Sequence, residues 1–379
     1  MDLTKMVWRN PAEYLTALKP ENPVLFFAPS ALQATAQEFI NGFAGTVTYA
    51  VKANPAESVI KALAAAGIAA FDVASPEEMR LIRRLAPDAV LHYNNPVRAR
   101  SEIGEAVALG VQSYSVDDAA ELAKLVSLVP PQGTEIAVRF ALPVAGAAYD
   151  FGEKFGATPA QAAVLLRAVE NAGFVPSLCF HPGTQCSAAG AWESYIAEAA
   201  EIAKAAGVRI ARLNVGGGFP SYRIADLPPD LPAIFAAIAR ATAQAFGEDA
   251  PKLLCEPGRG MCGDAFALAT RVKALRERGD VFLNDGVYGA LAERPMLNVI
   301  DRRLVISSEG VRRSAPLVPR VVFGPTCDSV DRLPGKVMLP ADLEEGDFVL
   351  FYGMGAYSWV TNTRFNGYGA LGFEQVQCL

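Results

Sequence analysis

The sequence predicts an α/β fold: a (β/α)8 barrel of the TIM type with a C-terminal antiparallel β domain. Three observations predict it. From about residue 46, short apolar runs alternate with Ala-rich stretches of helical period, eight times over. Eight such units span roughly 220 residues, close to the roughly 250 that a closed barrel typically takes. After Gly263 the Ala-rich stretches stop, and short Val-, Phe- and Leu-rich runs appear between turn signals. A doubly wound open sheet is the competing architecture.

The strand candidates in order are Val47–Val51, Ala69–Val73, Ala89–Tyr93, Gln112–Val116, Glu135–Phe140, Ser177–His181, Arg212–Val215 and Lys252–Glu256. Between them, Pro76–Leu85, Asp117–Val129, Thr158–Ala172 and Ala191–Ala206 have helical periodicity. The later runs Val281–Leu283, Val321–Phe323 and Phe348–Phe351 read as strands of the β domain, which the early run Val24–Phe27 is expected to join. The domain reading is therefore a barrel over 32–263 and a β domain over 1–31 and 264–379.

Composition narrows the function. Of 379 residues, 51% are hydrophobic and 20% charged, an ordinary globular balance. A net charge of −6 without a basic run gives no sign of a nucleic-acid surface. No apolar run approaches the roughly 20 residues that span a bilayer, and Met1–Asn10 does not read as a secretory signal. Six cysteines without a C-x-x-C pair, with only two histidines, argue against structural zinc and for reduced thiols in a cytoplasmic protein.

A barrel of parallel strands gathers its strand ends on one face, where such folds carry their chemistry. That face collects Lys52, Asp72, Arg139, His181, the loop Gly216-Gly217-Gly218, and Glu256. Each also fits a structural role: a solvated lysine, a helix cap, a rim charge, a hydrogen-bonded histidine, a turn. Together they supply what a phosphorylated pyridine aldehyde needs. An amine leaving a buried strand loses solvation, so its pKa falls and it can form a Schiff base. Glycines let backbone N–H groups approach a phosphate, and a following helix N-terminus adds its dipole. Glu256 can keep a pyridine nitrogen protonated, and Arg259 can support that glutamate or the phosphate.

Seven motifs in order then carry a resemblance. They are Tyr49-Ala50-Val51-Lys52-Ala53-Asn54-Pro55, Phe180-His181-Pro182-Gly183-Thr184-Gln185, Gly216-Gly217-Gly218-Phe219-Pro220 and Glu256-Pro257-Gly258-Arg259. Further on come Asn284-Asp285-Gly286-Val287-Tyr288-Gly289, Gly324-Pro325-Thr326-Cys327-Asp328-Ser329 and Gly355-Ala356-Tyr357. The chain resembles the fold-type III pyridoxal-phosphate decarboxylases of ornithine, lysine, diaminopimelate and arginine, which are alanine racemase-like in fold. It is most similar to the ornithine/lysine branch.

The resemblance implies pyridoxal 5'-phosphate bonded to Lys52, with His181 stacked on the ring and Glu256 at its nitrogen. It implies Thr184, Gly217, Gly218, Gly258, Arg259 and Tyr357 around the phosphate, with Asp72 and Arg139 in support. It further implies a homodimer with shared sites, in which Cys327 of the other subunit protonates the product carbon and Asp328 binds the distal amine. Lys154 and Asp331 match a cross-subunit ion pair of that branch. Tyr288 would lie near the substrate, and Asp301 is the nearest candidate for an aspartate those enzymes place after Val287-Tyr288-Gly289.

The expected reaction is decarboxylation of L-ornithine or L-lysine. Arg294-Pro295 resembles a run of the diaminopimelate enzymes, where an arginine meets a distal carboxylate, so meso-diaminopimelate or another diamino acid is the alternative. A racemase of this fold would set an arginine, not Glu256, against the pyridine nitrogen. A non-catalytic regulator would be expected to lack Lys52, Cys327 or the glycine loop, and a one-domain carrier to lack 264–379.

Overall fold

The computed structural model describes residues 7–143, 154–223, 228–297 and 302–379. It divides into two compact units. One comprises Thr35–Pro220 and Pro229–Met261; the other comprises Met1–Ala34, Ser221–Pro228 and Cys262–Leu379.

The first unit is a closed parallel barrel. Its strands follow one another in sequence order, each parallel to the next: Ala70–Val73, Val90–Tyr93, Ser113–Val116, Glu135–Arg139, Val175–Cys179, Arg212–Asn214 and Lys252–Cys255. The remaining strand is split. Tyr49–Ala50 pairs with Ala70–Val73, while Thr46–Val47 pairs with Lys252–Cys255, and this closes the ring. Thr48 bridges the two pieces by donating its N–H and its hydroxyl to the Cys255 carbonyl, at 2.9 and 3.0 Å. The sixth strand begins and ends two residues earlier than the apolar pattern predicts. Phe180 and His181 therefore already belong to the loop beyond it.

Local chemistry fixes the helices between these strands. Ser75, Asp118, Thr158 and Asp230 cap helices Pro76–Leu85, Ala119–Leu128, Pro159–Asn171 and Leu231–Phe246 with their side-chain oxygens. Ser75 performs the capping itself, so Asp72 is left for another purpose. Under the glycine loop, Trp192 packs on Phe219 at 5.1 Å and donates its indole N–H to the Val215 carbonyl, at 3.2 Å. That bond anchors the residue just before Gly216.

The second unit is built on the ten-residue strand Phe266–Leu275, which the sequence patterning did not single out. It pairs antiparallel with Val24–Phe27, Phe348–Tyr352 and Val281–Leu283. Val24–Phe27 joins this sheet as expected. The sheet is mostly antiparallel, with parallel pairings at Val24–Phe27 to Gly372–Gln375 and at Val281–Leu283 to Val322–Phe323. Among the described residues no helix is long and apolar enough to cross a membrane.

Candidate active site

The barrel strand ends surround a cavity lined by Lys52, Asp72, Asn94, Arg139, His181, Asn214 and Glu256, with Lys154 and Phe155 also on its wall. Among the described residues, those lining it belong to the barrel unit.

Lys52 sits in a single 3-10 turn, Val51–Ala53, rather than directly at the end of a strand. Tyr49 pins that turn by donating its hydroxyl to the Asn54 carbonyl, at 3.1 Å. Val51, Ala53 and Asn54 are buried, but Lys52 is exposed. The expected loss of solvation is therefore not what distinguishes this amine. Its electrostatic surroundings do: its charge acts on Asp72, Glu78, Glu256 and His181.

Two carboxamides hold Glu256. Asn94 and Asn214 both donate their side-chain N–H groups to Glu256 Oε1. Burial pushes the Glu256 carboxyl above its usual range. The Asn214 bond, the Lys52 and Arg139 charges and the Asn94 bond oppose that push. Asp72 is held well above its usual range, first by burial and then by the neighbouring Glu256 charge. A hydrogen bond from Asn94 and the Lys52 charge counteract this. Asn94 thus joins both acids, and the two cannot easily ionise together.

His181 accepts a hydrogen bond from the Gly183 N–H at Nδ1, at 3.1 Å. Burial, then the Arg139 and Lys52 charges, hold its pKa well below the ordinary value. The ring is therefore neutral at physiological pH, with a flat face available for stacking. Arg139 lies over the Phe155 ring, 5.3 Å from its centroid.

The glycine loop is sterically obligatory. A Cβ on Gly216 would stand 2.2 Å from the Phe180 carbonyl oxygen, and φ there is +70°. One on Gly217 would stand 2.7 Å from the Glu256 carbonyl oxygen and 3.2 Å from His181 Nε2. Gly218, at φ +83°, meets the Gly183 carbonyl oxygen at 2.4 Å. Cys186 N–H donates to the Gly218 carbonyl at 2.9 Å, binding the segment that carries Thr184 to this loop. The expected helix does not follow directly: the next one among the described residues starts at Leu231. A Cβ on Gly258 would stand 3.0 Å from the Ala53 Cβ and 3.3 Å from the Ala50 Cβ, and Arg259 is buried at the start of the turn Arg259–Cys262.

Cys327, Asp328, Tyr288 and Tyr357 belong to the second unit. Tyr288 donates its hydroxyl to Asp328 Oδ2, at 2.6 Å. That bond, then one from the Val330 N–H, hold the Asp328 carboxyl below its usual range. Cys327 is exposed. Asp331 is a buried hub within its own unit: it accepts from Val287 N–H at 2.9 Å and from the Thr326 N–H and hydroxyl at 3.0 and 2.7 Å. Tyr357 takes a left-handed φ of 66°, and its carbonyl accepts from Thr361. Asp301 lies outside the described residues.

A model for the pyridoxal-dependent decarboxylases, pyridoxal binding domain, matches residues 30–263. The chain belongs to this family. It is 34% identical over 330 residues to the lysine/ornithine decarboxylase of Selenomonas ruminantium, covering 85% of this chain and 81% of that protein. The structure of the Paramecium bursaria Chlorella virus arginine decarboxylase superposes with a TM-score of 0.86 at 25% identity, covering 96% of this chain and 98% of that one. The Vibrio vulnificus lysine/ornithine decarboxylase, solved with cadaverine, gives 0.82 at 27% identity over 97% and 99%.

In this family member the site includes residues that sequence reasoning passed over. Asn94 and Asn214 occupy strand ends just as Asp72 and Glu256 do, and each follows or ends an apolar run. That position was the available signal.

Proposed function

We propose that this protein decarboxylates a basic amino acid, L-ornithine or L-lysine, to the diamine and CO2. The observation that carries this reading is one cavity holding an amine (Lys52), a neutral imidazole (His181) and a carboxylate clamped by two amides (Glu256). A glycine loop that any side chain would fill lies beside them. These residues fit pyridoxal 5'-phosphate. When bound, that cofactor supplies the electron sink for loss of the α-carboxylate.

The chain's own residues do the rest. Lys52 offers the amine that bonds the cofactor aldehyde and later releases the product. His181 stacks on the ring, and Glu256 holds a proton on the ring nitrogen. Thr184, Gly217, Gly218, Gly258, Arg259 and Tyr357 hold the phosphate, with Asp72 and Arg139 supporting the ring end. Cys327 gives its thiol proton to the substrate α-carbon. Asp328, kept ionised by Tyr288, faces the distal ammonium, and Asp301 is assigned to the same end. Cys327 and Asp328 come from a second copy of the chain, so the working unit is a homodimer. Six cysteines outside any disulfide fit a reducing, cytoplasmic setting.

The substrate class rests on the Asp328 carboxylate and on the lysine, ornithine and arginine named for its relatives. Arg294 is buried within the second unit, which disfavours it as the partner of a distal carboxylate in meso-diaminopimelate. Purified protein with pyridoxal phosphate should release CO2 and diamine from L-ornithine or L-lysine. Turnover only of meso-diaminopimelate would overturn the substrate, and racemisation without CO2 would overturn the reaction.

A further inference from the structure

The segment after Tyr357 contains a loop that the resemblance assigns to nothing. Its neck is closed by Asn362, which donates its side-chain N–H to the Gly369 carbonyl at 2.9 Å. Thr363 donates both its N–H and its hydroxyl to the Tyr288 carbonyl, at 3.0 and 2.7 Å. Phe365 packs on the Tyr288 ring with centroids 4.6 Å apart. At its tip, Asn366 adopts φ 52° and ψ 18°, the left-handed conformation that asparagine tolerates better than most residues. From there Asn366 Oδ1 accepts twice from one residue: the Cys327 backbone N–H at 3.1 Å and the Cys327 thiol at 3.3 Å.

We propose that Asn366 is a positioning residue for Cys327, fixing its rotamer and the direction of its S–H bond. The proposal rests on the proton-donor role given to Cys327 above. A carboxamide oxygen accepts the S–H and so sets where that proton points. The backbone bond to the same oxygen prevents Asn366 from swinging away. The same loop braces Tyr288, and through it Asp328, so acid and substrate-facing carboxylate share one scaffold. In the transfer, the S–H bond breaks as a C–H bond forms at the substrate α-carbon; the electron pair stays on sulfur, which regains a proton from water.

The test is site-resolved alkylation of Cys327 by iodoacetamide in the holoenzyme at one fixed pH, followed over time by peptide mass spectrometry, which separates it from the exposed Cys378. Asn366→Ala frees the thiol from its rotamer and should speed alkylation several-fold. Asn366→Asp keeps an acceptor oxygen and should stay near the parent rate. An unchanged rate in Asn366→Ala, or an equal change in both variants, would overturn the inference. Cys327→Ala, assayed for diamine release, separates the two claims. Full activity there removes the proton-donor role without touching the alkylation result.

Discussion

Asn94 shows how far one side chain reaches in this site. It donates to Glu256 and hydrogen-bonds Asp72, so it sets the charge of two acids at once. A donor favours the ionised carboxylate, so Asn94→Ala should raise the Glu256 pKa further. Catalysis that needs ionised Glu256 would then fail at higher pH than in the unmodified enzyme. A pH profile of kcat/KM should show its acid limb shifted upward, and an unshifted limb would refute the assignment. The types Lys52, His181 and Glu256 were legible in the sequence because the parallel strands bring an amine, an imidazole and a carboxylate to one face of the barrel. The environment of Lys52 was not legible: exposure depends on what covers a strand end, and a one-dimensional pattern does not carry that.

Among elements, the strands and helices of the barrel were the most legible, since apolar runs and caps such as Ser75-Pro76 are local signals. The split of the first strand at Thr48 was not, because it follows from closing the ring onto Cys255, some 200 residues away in sequence. Strand Phe266–Leu275 was passed over because Thr270, Arg271 and Lys273 interrupt its apolar run. The glycine loop makes the sharpest prediction at this scale. Gly216→Ala forces a left-handed alanine into a carbonyl 2.2 Å away. It should cost at least about 2 kcal/mol in urea unfolding and weaken pyridoxal phosphate binding. A variant as stable as the parent would show that the loop relaxes freely.

In the second unit, the Asn284–Ala290 turn buries Asp285, whose carboxyl is pushed up to about 7. Burial is the main cause, and the Asp331 charge adds to it. The backbone donors Gly286 and Ala290 oppose it. A folded pKa raised above the unfolded 3.8 means that the stabilising form is the protonated one. That contribution is whole below about pH 4 and is lost as pH rises to about 7, an effect of about 4 kcal/mol by linkage. Asp285→Asn should therefore flatten the unfolding free energy across that window relative to the parent. Parallel curves for the two proteins would contradict it.

At the scale of the whole molecule, the residues proposed for the chemistry fall in two units of the chain: the cavity of Lys52, His181 and Glu256 in one, and the loop of Cys327 and Asp328 in the other. The proposed working site joins the cavity of one chain to the loop of a second. The most direct test mixes Lys52→Ala and Cys327→Ala homodimers, each inactive alone, and measures diamine formation after subunit exchange. Half of the dimers are then mixed, and each mixed dimer has one intact site, so activity should return to about a quarter of the parent level. No recovery, with exchange verified by labelled subunits, would contradict the claim.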